Sequence, residues 1–174
     1  MNSLEKDEGQ PSCEFQENLN LLRQTYFFSG MPLESLKVFA YLCARDKFKA
    51  GEYLFQQNED DAQAYYLIEG AASLERQENG TTLHLRTYKS GDFIGGLTLL
   101  GQMRRPFSLK ATQETLCLIL TREKFAKAIE QFSDHMPKIF RALVERIGVW
   151  EENFLTEQVE KCADCLENLG VSLL

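Results

Sequence analysis

A glycine-rich turn followed by two arginines is the part of the sequence best suited to chemistry. The stretch from Gly91 to Ala111 reads GDFIGGLTLLGQMRRPFSLKA: a short strand, a Gly-Gly turn, one helical turn and a second strand led by Arg105. Backbone N–H groups at the start of a helix have no intrahelical partner, and the helix dipole favours negative charge there. An arginine across from them would complete a phosphate clamp. The pattern predicts an anion site, with a solvated arginine pair as the alternative.

The sequence lacks the patterns of an enzyme or a metal centre. Its two histidines, His84 and His135, are too few for a metal triad. No nucleophile elbow, P-loop or His-Glu-x-x-His segment occurs. The adjacent carboxylates Asp60 and Asp61 fall in a polar stretch and are expected to be solvated. We therefore predict a protein that is not an enzyme and that carries no cofactor and no metal.

Length, charge and cysteine content narrow the class of protein. The 174 residues suit one domain with an appended element, and the net charge of −7 disfavours a protein whose main target is a nucleic-acid backbone. The chain has neither an apolar run of the roughly 20 residues that cross a bilayer nor a secretory signal, so we expect a cytoplasmic protein without membrane contact. Five scattered cysteines predict reduced thiols. For the lone pair Cys162 and Cys165, helix packing is favoured over metal or redox chemistry.

Helical periodicity at both ends frames a β-rich middle. Residues 1–13 are polar and aperiodic, which predicts a disordered tail. Apolar residues from Phe15 to Tyr26 recur at helical spacing, and a second helix is expected to begin near Pro32. Six short β-type runs within about 75 residues then predict an antiparallel sandwich or barrel. The runs are EYLFQQ, AYYLIEG, ASLERQENG, TTLHLRTYKSG, PFSLKAT and TLCLILT.

One hairpin can be predicted in detail. Asn79 and Gly80 suit a type I′ turn between two of these strands, because both can take positive φ values. In the strand that follows, Leu83 and Leu85 alternate with polar residues. That alternation predicts one buried face and one face in solvent.

A long helix is predicted at the C-terminal end. Pro137 can open it and Gly170 would stop it after Leu169. Five large apolar residues step along its first half by three and four positions, the spacing of a coiled-coil seam, and predict a dimer interface. They are Phe140, Leu143, Ile147, Trp150 and Phe154. A second stripe, offset by one residue, indicates either a change of contact face or a break near Thr156. Packing of the seam on the domain's own barrel is the alternative to a dimer.

Three separated segments, in order and at kept distances, resemble the cyclic nucleotide-binding domain family, which includes the catabolite activator protein, kinase regulatory subunits and cyclic-nucleotide-gated channels. The resemblance runs from about Tyr26 to Ile147. The segments are YFFSGMPLESLKVFA, FKAGEYLFQQNEDDAQAYYLIEGAASL and residues 91–111, here called the cassette. The resemblance implies a mainly β fold with flanking α: an antiparallel jelly roll with N-terminal helices and a long C-terminal helix, whose cassette binds the cyclic phosphate and ribose.

The resemblance also implies which residues contact a ligand. Family members usually carry Phe-Gly-Glu-Leu where this chain has Ile94 to Leu97, so Gly96 stands where the family has the acid that accepts from the ribose 2′-hydroxyl. Arg105 stands at the position of the phosphate arginine. The implied ligand-binding residues are Ile94, Gly95, Gly96, Leu97, Thr98, Arg105, Pro106 and Phe107.

Departures from the family pattern predict weak binding of cyclic AMP. Pro106 has no N–H to offer to a phosphate, and Phe107 adds bulk where Ala is usual. Asn58 replaces a customary glycine, a mild change because Asn tolerates a left-handed conformation. Loss of the ribose acid removes roughly 1.5–3 kcal/mol and loss of the backbone donor about 1 kcal/mol more, which lowers affinity by about two to three orders of magnitude.

Two functions from different classes follow from the resemblance. The first is a regulatory module in which residues 14–136 sense cyclic AMP, cyclic GMP or a related phosphate and residues 137–174 transmit the signal within a homodimer. The second is a ligand-independent interaction or dimerisation scaffold that has lost nucleotide binding. A transcription factor is disfavoured, because about 35 residues after the short helix leave no room for a helix-turn-helix beside a dimer helix. We expect a stand-alone domain without direct DNA binding.

Overall fold

The computed structural model describes residues 10–161, and at residues 10–12, 151 and 154–161 it describes the backbone alone. Helices flank a β-rich middle within that range. In chain order the elements are α1 Gln10–Gln24, α2 Leu33–Leu42, β1 Ala44–Phe48, β2 Tyr53–Phe55, β3 Gln63–Glu69, β4 Ala71–Glu78, β5 Thr81–Lys89, β6 Phe93–Ile94, α3 Gly96–Leu100, β7 Ser108–Ala111, β8 Thr115–Thr121, α4 Arg122–Gln131 and α5 Met136–Lys161. Short 3₁₀ turns at Tyr26–Phe28 and Ser133–His135 precede α2 and α5.

The strands form two antiparallel four-stranded sheets, ordered β1-β8-β3-β6 and β2-β7-β4-β5. β3 is apolar at successive positions because both of its faces are covered. Its Tyr65 and Leu67 pack in the cluster between the sheets, and Tyr66 packs in the cluster beneath the helices. The predicted jelly roll with flanking helices and a long C-terminal helix is confirmed.

Aromatic rings join the helices to the first sheet. Phe27 of the Tyr26–Phe28 turn and Phe39 of α2 both pack against Phe125 of α4, with ring centroids 5.9 and 5.6 Å apart. α4 starts where it does because the Thr121 side chain accepts a hydrogen bond from the N–H of Lys124, a normal N-cap. The cluster holds the Tyr26–Phe28 turn beside the cassette.

The predicted hairpin forms, but its burial differs from the prediction. Asn79 and Gly80 have φ values of 51° and 78° and connect β4 to β5. Leu83 and Leu85 are 45% and 46% exposed, so the prediction that they form a buried face of β5 is wrong. β5 is an edge strand, and residues Glu75 to Glu78 of β4, which pair with it, are largely exposed as well.

The helix ends need two corrections. α1 begins at Gln10, so the last four residues of the predicted disordered tail are helical. α5 continues through Thr156 to Lys161 without the break that the offset stripe allowed, whereas Cys162, Cys165 and the expected stop at Gly170 lie outside the described residues. Within the described part of the chain, no helix has both the length and the apolar character needed to span a membrane.

The predicted seam on α5 divides between two surfaces. Leu143 is 7% exposed and packs with Ile139 in the cluster beneath the helices, so it is not accessible to a partner. Phe140 and Trp150 are 51% and 62% exposed, and Ile147 is half-buried. The side chain of Phe154 lies outside the described residues. Phe140 and Leu143 point about 60° apart around a helix of 3.6 residues per turn, which puts one outward and the other into the core.

Candidate ligand-binding site

A pocket of about 480 Å³ opens between the cassette, β5 and α5. Three arginines and several aromatic rings form much of its wall. The lining residues are Gln24, Thr25, Tyr26, Phe55, Leu74, Arg86, Tyr88, Gly91, Asp92, Phe93, Ile94, Gly95, Gly96, Leu97, Met103, Arg105, Pro106, Phe107 and Arg146. Seven of the eight residues predicted to bind a ligand are among them, and Thr98 is not.

Arg105 lies at the inner end of this pocket and is 4% exposed. Its Nε donates to Asp61 Oδ1 at 2.8 Å, and its Nη2 donates to Asp61 Oδ2 at 3.1 Å and to the carbonyl oxygen of Gln63. The guanidinium carbon also lies 4.0 Å from the centroid of the Phe55 ring. Within residues 10–161, Nη1 donates no hydrogen bond, so this nitrogen keeps its donors unused.

The backbone of Arg105 is held as firmly as its side chain. Its N–H donates to the carbonyl of Glu59 at 2.8 Å, and its carbonyl accepts from the N–H of Asn58 at 2.8 Å. Asn58 has φ 70°, so the expectation that asparagine tolerates the left-handed conformation there is confirmed. The loop from Asn58 to Ala62 therefore orients Arg105 from both ends.

Asp60 and Asp61 correct the expectation that both carboxylates are simply solvated. Asp61 is buried against Arg105, and the Tyr65 hydroxyl lies 2.9 Å from Asp61 Oδ2. Asp60 lies at the surface and pairs with Arg122, which also donates from Nε to the carbonyl of Thr98. The Arg122 hydrogen bond holds the pKa of the Asp60 carboxyl below its usual value. The two acids fasten the cassette to the rest of the domain.

Gly95 gives Arg105 the space it needs. Gly95 has φ 90°, and a Cβ at this residue would lie 2.8 and 2.9 Å from Arg105 Nη1 and Nη2. The guanidinium therefore meets the turn that begins α3, as the clamp pattern predicts. Only glycine combines this backbone conformation with so close an approach.

Thr98 faces away from the pocket, which corrects its predicted role. It is completely buried, and its hydroxyl donates to the carbonyl of Gln63 at 2.7 Å. Its N–H donates to the carbonyl of Gly95 at 3.1 Å. Because both donors are engaged within the protein, Thr98 positions the turn and has no donor left over for a ligand.

The cationic and aromatic wall opposite the cassette was not predicted from the sequence. The Arg86 guanidinium lies 4.7 Å from the Tyr88 ring centroid and, at 3.8 Å, near Asp92. The Arg146 guanidinium lies 5.4 Å from the ring centroid of Tyr26. Arg86 is one of the polar residues that alternate with Leu83 and Leu85, a pattern that predicts only a face in solvent, and helical periodicity carries no signal that Arg146 reaches a pocket.

The tyrosines of this wall remain protonated near neutral pH. Burial raises the pKa of Tyr26, and Arg146 opposes that rise. Burial likewise raises the pKa of Tyr88, against the effects of Arg86 and Arg146. Both hydroxyls can therefore donate to an anionic ligand, and Arg146 connects α5 electrostatically with both rings.

No group of three or more His, Cys, Asp or Glu side chains within the described residues is arranged to hold a metal ion. The arrangement that does occur is a buried arginine with one free nitrogen, two further arginines and flat aromatic surfaces. These groups suit an anion attached to a planar ring system.

The chain is similar to proteins of one family. The model of the family described as "Cyclic nucleotide-binding domain" matches residues 45–132. A cAMP-dependent protein kinase regulatory subunit from Emericella nidulans is 34% identical over 83 residues, which are 48% of this chain and 20% of that protein. The chain spans a fifth or less of the length of the curated relatives it matches.

Solved structures share the fold. The N-terminal domain of a transcriptional regulator from Streptomyces coelicolor superposes with a TM-score of 0.69 at 19% identity, covering 77% of this chain and 94% of that one. The regulatory domain of Toxoplasma gondii PKA, crystallised with cAMP, gives a TM-score of 0.62 at 20% identity, covering 73% and 49%.

Proposed function

Since the chain belongs to the cyclic nucleotide-binding domain family, we propose that its pocket binds cyclic AMP, cyclic GMP or a related phosphate monoanion and that α5 transmits the occupied state. The observation that carries this proposal is the geometry of Arg105. A buried guanidinium held by Asp61 and Gln63 lines the pocket and keeps one nitrogen, Nη1, without a hydrogen bond to the described residues. Such a fixed charge binds an anion without first having to be ordered.

The charge balance of the pocket supports a monoanion. Arg86, Arg105 and Arg146 contribute positive charge, whereas Asp92 lies near Arg86 and Asp61 pairs with Arg105. One positive charge remains in excess. A cyclic phosphodiester carries one negative charge, and the rings of Tyr88 and Phe107 offer flat surfaces to a base.

Contacts of Arg146 and Tyr26 support transmission to α5. Both residues line the pocket, and the Arg146 side chain stacks on Tyr26 from α5. A phosphate or base that attracts Arg146 would alter this contact and with it the position of α5 relative to the Tyr26–Phe28 turn. The exposed side chains of Phe140 and Val144 on the outer face of α5 would carry that change to a second copy of the chain.

Calorimetric titration with cyclic AMP and cyclic GMP tests the proposal. Because the ribose acid and one backbone donor are missing, we expect Kd values of about 0.1–1 mM for the preferred nucleotide. Arg105→Ala should weaken binding at least about tenfold, and Arg104→Ala, which changes the exposed neighbouring arginine, should leave it unchanged.

Folding must be separated from binding in this experiment, because Arg105→Ala leaves the Asp61 carboxylate without its partner. The double variant Asp61→Ala/Arg105→Ala removes both charges and should melt closer to the wild type while still failing to bind. Equal nucleotide binding by the wild type and the folded double variant would contradict the proposal, as would no response of the wild type at millimolar ligand.

A ligand-independent scaffold is the second candidate function. Gly96 and Pro106 both remove groups that would hold a nucleotide, and α5 exposes Phe140, Val144 and Trp150. In that case the chain would associate through α5 equally well with and without nucleotide. The oligomeric state with and without cyclic AMP distinguishes the two candidates.

A further inference from the structure

Gly96 lines the pocket as bare backbone, and the space that a side chain would need there is already filled. A Cβ on Gly96 would lie 2.7 and 3.0 Å from Cδ2 and Cε2 of Phe27 and 3.1 Å from Cε1 of Phe93. The φ angle of Gly96 lies outside the left-handed region, so the backbone itself accepts any residue. Packing against Phe27 is therefore what restricts this position to glycine.

Phe27 cannot easily give way. It is completely buried in the Tyr26–Phe28 turn, and three other rings surround it. Its centroid lies 5.1 Å from that of Phe28, 5.7 Å from that of Phe93 and 5.9 Å from that of Phe125. Moving the Phe27 ring would open a cavity among these neighbours, which close-packed cores resist.

Among the described residues, the pocket lining has no free carboxylate to take the place of a missing acceptor at position 96. Asp92 is the one carboxylate among the described lining residues. Its Oδ2 accepts from the N–H of Lys89 at 2.8 Å, and its Oδ1 lies 3.8 Å from Arg86. A hydroxyl group of a ligand near Gly96 would meet backbone with aromatic carbon behind it.

We propose that the pocket does not select for the ribose hydroxyl, because Gly96 offers no acceptor side chain and the Phe27 ring excludes every side chain larger than hydrogen at this position. The pocket then holds a nucleotide by its phosphate and its base and does not recognise the ribose hydroxyl. The ligand class is a phosphate monoanion on a planar heterocycle, in either ribose or deoxyribose form. The ligand class in this inference rests on the proposed function. The restriction of position 96 to glycine rests on the packing of Phe27.

The first experiment compares two ligands on the wild-type protein. Cyclic AMP and 2′-deoxy cyclic AMP are titrated in parallel, and we expect Kd values within about threefold of each other, because position 96 offers no carboxylate to accept from the hydroxyl. A preference of tenfold or more for the hydroxylated form would overturn the selectivity while leaving the proposed function intact. No binding of either ligand would overturn the proposed function, and the selectivity with it.

The second experiment tests the packing without any ligand. Gly96→Ala should lower the Tm of the wild type by about 5 °C, since the new methyl group collides with the Phe27 ring. In a Phe27→Leu background the same change should leave the Tm unaltered or raise it, because alanine is the better helix former and the ring is gone. Gly101→Ala is the matched control at the other end of α3, where a Cβ would meet nothing within 4 Å.

Comparing Gly96→Ala in the wild type and in Phe27→Leu shows whether the Phe27 ring is what excludes a side chain at position 96. An equal loss of Tm from Gly96→Ala in both backgrounds would show that Phe27 is not the obstacle and would overturn the proposal. If Phe27→Leu does not fold, Phe27→Met provides the second background, since its flexible side chain can move aside.

Discussion

Arg105 and Asp61, which are 44 positions apart in the sequence, form a two-point ion pair at the inner end of the pocket. The Nε–Oδ1 distance is 2.8 Å, and the two side chains are 5% and 11% exposed. At this depth a carboxylate or a guanidinium without a partner costs far more than the pair itself contributes. The stability of the domain and the geometry of its anion site therefore depend on the same contact.

Removing one partner should destabilise the domain more than removing both. We expect Asp61→Ala to lower the free energy of unfolding by about 3–5 kcal/mol, because the buried Arg105 charge is left without compensation, and the double variant with Arg105→Ala to recover part of that loss. Chemical denaturation of the four proteins in the cycle measures the coupling. Glu59→Ala, an exposed neighbour, serves as control. Additive effects of Asp61→Ala and Arg105→Ala would mean that the pair is not coupled.

Gly95→Ala should impair both stability and nucleotide binding. The substitution forces alanine to φ 90° and places its Cβ 2.8 Å from Arg105 Nη1, the nitrogen proposed to meet the ligand. Gly51→Ala is a matched control, since Gly51 also has φ 90° but a Cβ there would meet nothing within 4 Å. Both variants should lose about 1–3 kcal/mol of unfolding free energy from backbone strain. We expect Gly95→Ala to lose nucleotide binding in calorimetry and Gly51→Ala to keep it. If Gly95→Ala still bound nucleotide, the proposed contact between Arg105 and the ligand would be wrong.

The pairing of Asp60 with Arg122 should make stability fall in acid. Its hydrogen bond from Arg122 lowers the pKa of Asp60 below the usual 3.8, so this contribution is present above that pH and is lost as the pH falls through the lowered value. We expect wild type to be more stable than Asp60→Asn near neutral pH, with the difference narrowing at about pH 3 and below. Urea unfolding across this range measures it. A difference that stays constant down to the acid limit would contradict the assignment.

The outer face of α5 should control self-association. Phe140 and Val144 are 51% and 68% exposed and lie one helical turn apart. We expect the wild type to dimerise in sedimentation experiments and Phe140→Glu/Val144→Glu to be monomeric with little change in the Tm of the domain. Leu143→Ala should act in the opposite way, lowering the Tm by creating a core cavity while leaving the dimer in place. If the wild type remained monomeric at high concentration, the proposed dimerisation through α5 would be wrong.

Burial of the cysteines gives a further expectation about reactivity. Burial raises the pKa of Cys43 and of Cys117 to about 12, so both thiols remain protonated at neutral pH. Cys13 is exposed on α1. Brief alkylation at pH 8 followed by peptide mass analysis should label Cys13 and spare Cys43 and Cys117 until the protein is unfolded. Rapid labelling of Cys117 in the native protein would show that the space between the sheets opens.

Much of the fold could be predicted from local signals. Asn79 and Gly80 mark the hairpin because their backbone conformations suit a type I′ turn, and helical spacing after Thr121 marks the return to helix. The cassette was predicted for the same reason, since the Gly95 turn and Arg105 lie within one short segment. Burial was predicted less well: Leu83 and Leu85 alternate as a half-buried strand would, yet both are exposed on an edge strand, and alternation does not show which strand lies at an edge.

By itself the sequence determined six of the eight strands, the flanking helices and the position of the cassette, because periodicity and turn residues act over a few neighbouring positions, and the resemblance to the family implied the jelly roll. Only the tertiary structure decided that Asp61 pairs with Arg105, that Arg146 on α5 reaches Tyr26, and that Phe27 fills the space beside Gly96. Each of these contacts joins residues tens of positions apart. Periodicity shows which side chains share a face, but the packing of strands and helices selects what that face meets.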